Sequence, residues 1–254
     1  MVQTIRYNGN FDSVVISVNK IDELYQALMD SNHTVVLTGA GMSVESGIPD
    51  FRSKSGWWKN IDPLTVATVD ALEEDYDLFH EFYSTRLQTL GDCEPHDGHR
   101  ILAKWEQNNL VHEVATQNVD EFHMMAGSKQ VDQLHGSIRT FRCQQCGSPA
   151  SFEQFKNKES CSICNGKIRP NVVLFGEMLP ERAWNSALHH IERADLVIVI
   201  GTSLQVYPVS QLPQMTQGRT VYINKEVNDH HSFFDLIIEG SAKETLLAVD
   251  QLIR

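Results

Sequence analysis

Hydrophobic positions in this chain gather into short continuous runs and do not alternate with polar ones. Residues 33–38, 111–116, 194–200, 220–223 and 234–238 are rich in Val, Ile and Leu, and the first and third run straight into Gly39 and Gly201. Runs of this kind suit strands buried on both faces of a parallel sheet. Between them, residues 21–29, 72–90, 98–108, 181–193 and 242–252 are amphipathic and read as helices. Strand-then-helix alternation predicts βαβ units and an α/β fold, a Rossmann-like doubly wound parallel sheet.

Residues 139–170 break this pattern. They hold few long apolar runs, several turn formers and four of the five cysteines. Arg139, Arg142, Lys156, Lys158, Lys167 and Arg169 face only Glu153 and Glu159, a local balance of +4 in a chain of net charge -12. The segment is expected to be a compact module inserted between two strands of the main sheet. Residues 1–138 and 171–254 would then form the large domain, with 1–20 as an N-terminal extension. Cys143 and Cys146 are followed after fourteen residues by Cys161 and Cys164, close to the spacing of a zinc ribbon. Each pair sits on a tight turn, aided by Gly147 and by Asn165-Gly166, so two thiolates aim at one point. Four thiolates complete a tetrahedral zinc shell and leave no position for water, so the expected role is structural. Two redox-active CxxC motifs are the alternative; Cys93 has no evident partner.

At 254 residues the chain is one large domain or a core with a small insert, and 41% apolar content is enough for a sizeable interior. Twenty-one basic against 33 acidic residues argue against gripping nucleic acid or an anionic membrane through bulk charge. No stretch approaches the roughly 18–20 apolar residues of a membrane span, and residues 1–20 lack the pattern of a secretory signal. An odd cysteine count does not suit a secreted disulfide scaffold, so a reducing, cytoplasmic location and a monomer are expected.

Candidate chemistry lies at the polar ends of the apolar runs. Gly39-Ala40-Gly41-Met42-Ser43 follows the first, and glycines at a strand-to-helix turn let backbone approach a pyrophosphate. Val44 stands where a third glycine would complete the dinucleotide fingerprint, and a tight turn with small-residue packing explains the glycines equally well. Ile48-Pro49-Asp50-Phe51-Arg52, Thr116-Gln117-Asn118-Val119-Asp120 and Leu134-His135-Gly136 add amides, carboxylates and a histidine. Ligands of open α/β sheets bind at such strand ends, and a histidine there can serve as a general base near neutral pH.

Taken in order, these strings resemble the sirtuins, NAD-dependent protein lysine deacylases. The likeness extends through Arg169-Pro-Asn-Val-Val-Leu-Phe-Gly-Glu177, Gly201-Thr-Ser-Leu204 with Pro208, and Ile223-Asn224, covering roughly residues 33 to 250. It implies a Rossmann-like large domain with a zinc-ribbon module, and NAD in the cleft between them. Gly39, Ala40, Gly41 and Ser43 would line pyrophosphate and ribose. Ile48, Asp50 and Asn118 would form the nicotinamide pocket, while Gln117 and Asp120 orient its ribose. Phe51 would shield the reactive C1′ carbon, with Arg52 beside it. Gly201, Thr202 and Ser203 would hold phosphate and adenosine ribose, and Asn224, Lys225 and Ala242 would surround the adenine nucleoside.

The implied reaction has the acyl-lysine oxygen attack C1′ as nicotinamide leaves. His135, with Asn118 and Asp120 as its catalytic companions, then deprotonates a ribose hydroxyl that attacks the imidate carbon. Val173, Phe175, Gly176 and Glu177 would form the floor for an acyl-lysine peptide, added as a strand between this segment and the loop near Val206. A plain buried strand accounts for 172–174 equally well. Tyr83 and Arg86 share a helix face and resemble the pair with which the desuccinylase branch grips a substrate carboxylate. A core tyrosine beside a solvated arginine is the plainer alternative. ADP-ribosyl transfer to protein or NAD hydrolysis by the same site is the alternative activity. Phe122, where an aliphatic residue is usual, and Pro95-His96, in place of Pro-Asn, depart from the family pattern.

Overall fold

Strand formation follows the β-branched runs. In the computed structural model, which describes residues 18–49, 60–228 and 231–253, the leading strands are β1 (Thr34–Thr38), β2 (Glu113–Thr116) and β3 (Val131–Gln133). A separate group follows, β4 (Gly136–Cys143), β5 (Pro149–Ala150) and β6 (Ile168–Val172); β7 (Leu196–Ile200), β8 (Arg219–Asn224) and β9 (Leu236–Glu239) come last. The first and last groups form one six-stranded sheet in the order β3-β2-β1-β7-β8-β9, with every pairing parallel. Each residue of β1, β2 and β7 is buried, which is why those runs carry no alternation.

Helices cover both faces. The helices of the described residues are α1 (Val18–Asp30), α2 (Pro63–Val66), α3 (Val69–Glu74), α4 (Tyr76–Gly91), α5 (Asp97–Gln107), α6 (Phe122–Met125), α7 (Phe152–Lys156), α8 (Glu181–Glu192) and α9 (Ala242–Asp250). Leu24, Leu28, Leu102, Trp105 and Leu246 from α1, α5 and α9 pack with Val36, Val114 and Ile198 on one face. Ala187 and Ile191 of α8 pack with Val35, Leu37, Val197 and Val199 on the other. The doubly wound expectation holds.

The helix expected over 72–90 is two helices. Asp75 ends α3 and caps α4, its carboxylate accepting from Leu78 N at 3.1 Å, a local bond that competes with a continuous helix. β3 was not expected, since only one of its three residues, Val131, is apolar. The expected module limits 139 and 170 fall inside β4 and β6. These two strands pair antiparallel from Gly136↔Val172 to Cys143↔Ile168 and continue out of the module toward the main sheet. Helices α2–α4 share a third apolar cluster with this second sheet, where Leu72, Phe79, Phe82 and Tyr83 meet Phe141, Phe155 and Ile168.

Candidate active site

β1 and β7 are neighbours from which the chain winds off in opposite directions, so their carboxyl ends form the topological switch point at which open α/β sheets bind ligands. The glycines there are fixed first by one another. Gly39 N donates to Ile200 O at 3.0 Å and Gly41 N to Gly201 O at 2.7 Å. A Cβ on Gly41 would come within 2.7 Å of Gly201 Cα, and one on Gly201, at φ +64°, within 2.3 Å of Met42 N. Two backbone loops thus touch with no side chain between them, which leaves a cradle of bare backbone at the carboxyl end of the sheet's central strands. Ala40–Met42 and Val44–Ser46 each form a turn of 3-10 helix. Glu45 ties the second turn to α9, accepting from Ser241 Oγ at 2.7 Å and Lys243 N at 3.0 Å. Ala242 is therefore brought to this switch point, and it is buried.

A buried polar network lies beneath the cradle. Asn118 Nδ2 donates to Ser43 Oγ at 3.1 Å, and Ser43 Oγ donates to Asp120 Oδ2 at 2.7 Å. Asp120 Oδ1 accepts from Phe122 N, so both of its oxygens are engaged, while burial pushes its carboxyl upward against those hydrogen bonds. Gln117 Nε2 donates to Thr202 Oγ1 at 2.9 Å, joining the ends of β2 and β7. Tyr222 Oη donates to Thr202 O and accepts from Asn224 Nδ2, which extends the join to β8. Lys225 is exposed beyond it.

His135 follows β3 by two residues. Its Nδ1 lies 3.1 Å from Gln117 O, and a carbonyl only accepts. The proton therefore sits on Nδ1, and Nε2 presents a lone pair, the arrangement a general base requires. Burial lowers the ring's pKa below 6.5, against the opposing pull of Gln117 O, so the imidazole is neutral at physiological pH.

The expected substrate floor adjoins this base. Val173 N donates to His135 O at 2.9 Å, and Phe175 N donates to Ala67 O at 2.9 Å. Gly136, at φ +73°, has room for no side chain, since a Cβ would lie 2.0 Å from Asn171 O. Phe175 and Gly176 are exposed. An open groove of about 560 Å³ runs along the segment, lined by Asn171, Val172, Val173 and Met178 among others. Glu177 lines the same groove and is also anchored beneath it. Its carboxylate takes the fully buried Arg169 guanidinium at 2.7 and 3.0 Å and the Leu174 N–H at 2.8 Å, so it pins the floor from behind.

Tyr83 and Arg86 differ from each other. Tyr83 is buried against Phe79 and Phe82 at 4.6 and 5.0 Å between ring centroids, and burial pushes its phenol up to about 12. The Arg86 guanidinium rests over the Phe82 ring at 5.5 Å and lies within the field of Asp120. Tyr83 is thus packed in the core, and Arg86 is half-buried beside it. Asp50, Phe51 and Arg52 lie outside the described residues.

Two histidines of the network were not anticipated. His123 Nε2 meets Thr38 Oγ1 at 3.0 Å, and His99 Nε2 approaches Ser43 Oγ at 3.5 Å. Both rings are buried, and burial drives both pKa values down, that of His123 to about 3. Thr38 and Thr116, polar residues closing wholly buried strands, were the available signal.

The four module cysteines converge. Cys143 and Cys164 sulfurs lie 3.5 Å apart, Cys146 and Cys161 3.7 Å apart, and all four fall within 4.8 Å of one another. Bonds of about 2.3 Å to a tetrahedral zinc place sulfurs close to 3.8 Å apart, so the set fits that ion. Gly166 is part of the fit, because a Cβ there would reach 2.8 Å from Cys143 Sγ. Convergence of the two pairs on one centre argues against independent redox motifs. Cys93 donates to Thr89 O and stands apart.

The Sir2 family model matches residues 39–208. This chain is a member of the Sir2 family. NAD-dependent protein deacetylase 1 of Geobacillus kaustophilus (strain HTA426) is 50% identical over 216 residues, spanning 83% of this chain and 89% of that protein. NAD-dependent protein deacetylase of Oceanobacillus iheyensis (strain DSM 14371 / CIP 107618 / JCM 11309 / KCTC 3954 / HTE831) is 43% identical over 215 residues, 83% of this chain and 91% of that one. Among solved structures, a Sir2–p53 peptide–NAD+ complex superimposes with a TM-score of 0.84 at 34% identity, over 91% of this chain and 98% of that chain. A Sir2 bound to a propionylated peptide gives 0.83 at 34% identity, over 92% and 98%. In this Sir2 chain, then, Thr202 and Gln117 link the glycine cradle to His135 beside the Ser43 network.

Proposed function

We propose that the protein is an NAD-dependent protein lysine deacylase that moves the acyl group of an acyl-lysine to ADP-ribose and releases nicotinamide. The observation that carries this reading is the His135 tautomer, an imidazole with its proton held by Gln117 O and a bare Nε2 directed away from that bond. NAD+ supplies an electrophilic ribose carbon and a departing nicotinamide. The residues of this chain do the rest. The Gly39/Gly41/Gly201 cradle offers backbone to a pyrophosphate, and Thr202, Ser203, Asn224, Lys225 and Ala242 stand where an adenosine would follow. Asn118 and Asp120, fixed through Ser43, define the nicotinamide end with Ile48. His135 Nε2 takes a proton from a ribose hydroxyl, and Gln117, joined to Thr202, holds the histidine's carbonyl partner in place. One Zn2+ on Cys143, Cys146, Cys161 and Cys164 would staple the module and do no chemistry.

The peptide lies along 172–177. The N–H groups of Val173, Leu174 and Phe175 are already taken, so main-chain pairing with a substrate uses other backbone groups of the segment. The half-buried Arg86 guanidinium, whose charge reaches Asp120 of the site, favours a second capability, removal of acyl groups that end in a carboxylate such as succinyl. No helix among the described residues is long and apolar enough to cross a membrane. A cytoplasmic location is part of this proposal, supported by a thiolate zinc site that suits a reducing compartment.

The test is incubation with NAD+ and acetyl, propionyl and succinyl peptides, followed by mass analysis. O-acyl-ADP-ribose in equal amount to free lysine supports the reading. Free ADP-ribose or ADP-ribosylated protein without deacylation overturns it, as does a His135→Ala variant of full activity.

A further inference from the structure

β2 and β3 deliver the catalytic groups at their carboxyl ends, Asn118 and Asp120 from one and His135 from the other. Nearer their amino ends two carboxyls meet. Glu113 of β2 is only 3% exposed, and the side chain of Asp132 on β3 pairs with it. Asp132 Oδ2 is buried and meets no hydrogen-bond donor. Asp132 as a residue is half-buried, but the oxygen it turns inward is covered, so two neighbouring carboxylates there repel and the arrangement is satisfied when one proton lies between them.

Among the described residues no lysine or arginine forms an ion pair with either carboxylate, and His190 is the basic group beside Glu113. Glu106, at the end of α5, spends its carboxylate on Lys129 N and Gln130 N. Ser186 of α8 bonds Asp132, and the charges of Arg182 and His190 reach Asp132 from the same helix. His190 Nε2 stands 3.8 Å from Glu113 Oε2, and its Nδ1 stands 3.2 Å from His33 Nε2. His33 in turn packs on His112 at 4.9 Å, while Arg193, His189 and Asp195 complete the charged groups nearby. Burial pushes Glu113 up to about 8, and burial lowers both His33 and His190, so these two histidines are neutral while the pair keeps its proton.

β3 has few other restraints. It is three residues long, lies at the sheet's edge, and pairs only with β2, Ala115 opposite Asp132 and Thr116 opposite Gln133. Leu134 N donates to Thr116 O at 2.9 Å, and His135 is the next residue.

We propose that Glu113 and Asp132 share one proton and act as a positioning pair, which staples β3 to β2 and so sets His135 against Gln117 O; loss of the proton splits the pair and loosens the base. The activity readout rests on the deacylase reading above.

The wild type, Glu113→Gln and Asp132→Asn are compared by three measurements. Infrared spectra should contain a protonated-carboxyl band at neutral pH that titrates near pH 8 in the wild type and is missing in Glu113→Gln. The His135 ring resonances should move with that titration in the wild type and stay still in both variants. With NAD+ saturating, kcat on an acetyl peptide should fall about threefold or more as pH rises through the pair's titration, with KM for NAD+ little changed, and the fall should vanish in both variants. A missing carboxyl band, or His135 resonances and an alkaline fall that persist unchanged in both variants, overturns the proposal. If the band and resonances behave as expected but no peptide is deacylated with NAD+, the positioning pair stands and the deacylase reading fails.

Discussion

Arg169 is the most consequential buried charge in the module. Its guanidinium is completely shielded from solvent and donates to Glu177 Oε1 and Oε2, Gln144 Oε1 at 2.9 Å, Pro170 O at 3.2 Å and Val172 O. Replacing Glu177 with Ala removes both charge-assisted bonds and the acceptor of Leu174 N, and leaves a buried cation among neutral oxygens. Breaking a buried pair from one side costs about 3–5 kcal/mol. Glu177 keeps 20% of its side chain exposed, so water recovers part of that, and about 3 kcal/mol is the expected loss. At about 2–4 °C per kcal/mol for a chain of this size, calorimetry should register a drop of about 6–12 °C in Tm.

The pair also fixes a pH dependence. Burial works to raise the Glu177 pKa, but the hydrogen bonds from Arg169 and Leu174 N outweigh it and hold it below the ordinary value. A depressed carboxyl pKa contributes stability that is present above the unfolded value of about 4.5 and is lost as pH falls through the folded one. The Tm difference between wild type and Glu177→Ala should therefore narrow in acid. The double variant Arg169→Met/Glu177→Leu should recover more than half of the single loss, because no unpaired charge remains. In the folded single variant, KM for peptide should rise more than KM for NAD+, since the floor segment loses its rear support. A Tm drop under about 2 °C, or a double variant as unstable as the two singles added, refutes the reasoning.

Other outcomes follow from the site. His135 must be neutral to act and burial lowers its pKa, so kcat/KM should hold as pH falls past 6.5 and decline only below it; an acid limb centred above 7 contradicts the assignment. Gly201→Ala should raise KM for NAD+ by about tenfold or more, because its Cβ would lie 2.3 Å from Met42 N and must push the two loops apart; unchanged NAD+ affinity by calorimetry counts against the cradle. Metal analysis should find one zinc per chain, and Cys143→Ser or a strong chelator should melt the module and expose Phe155 and Ile168, read by hydrophobic-dye binding; a zinc-free protein of unaltered melting behaviour sinks the structural site. Arg86→Met should depress succinyl-peptide turnover about tenfold more than acetyl-peptide turnover, and equal loss on both, or none, removes Arg86 from acyl selection.

How much of this was legible in the sequence depended on whether the signal was local. β1, β2 and β7 announce themselves because every residue must be apolar when both faces are covered, and the four cysteines do so because their spacing and chemistry are unusual together. β3 carries no such mark: Val131-Asp132-Gln133 is a strand through its pairing with β2 and its cover by α8, neither of which is written in those three residues. The break at Asp75 was visible in principle, an N-cap residue within a helical stretch, but the apolar period continues across it and masks it. The partnership of α2–α4 with the module depends on long-range packing between residues about 80 positions apart, such as Phe79 and Phe155, which periodicity does not report.

The site residues divide in the same way. A glycine cluster after a strand says that backbone must approach something closely, and it leaves open what that something is. Here Gly39 and Gly41 are required by Gly201, 160 residues further on, before any pyrophosphate is considered. Glu177 stood in a segment read as substrate floor, and its chemistry suited a peptide contact; that its carboxylate also anchors the buried Arg169 is visible only in the structure. His135 was legible as a base by residue type, while its competence comes from a proton held on Nδ1 by a carbonyl of the neighbouring strand. Residue type thus sets what each group can do, and the interstrand contact decides which of those options is available. That division has a practical consequence for variants. Substitutions at Gly201, Gln117 or Arg169, outside direct contact with the acyl group, should alter catalysis or peptide affinity through the backbone they fix, whereas changes at exposed residues away from the site, such as Met29 or Leu252, should be absorbed.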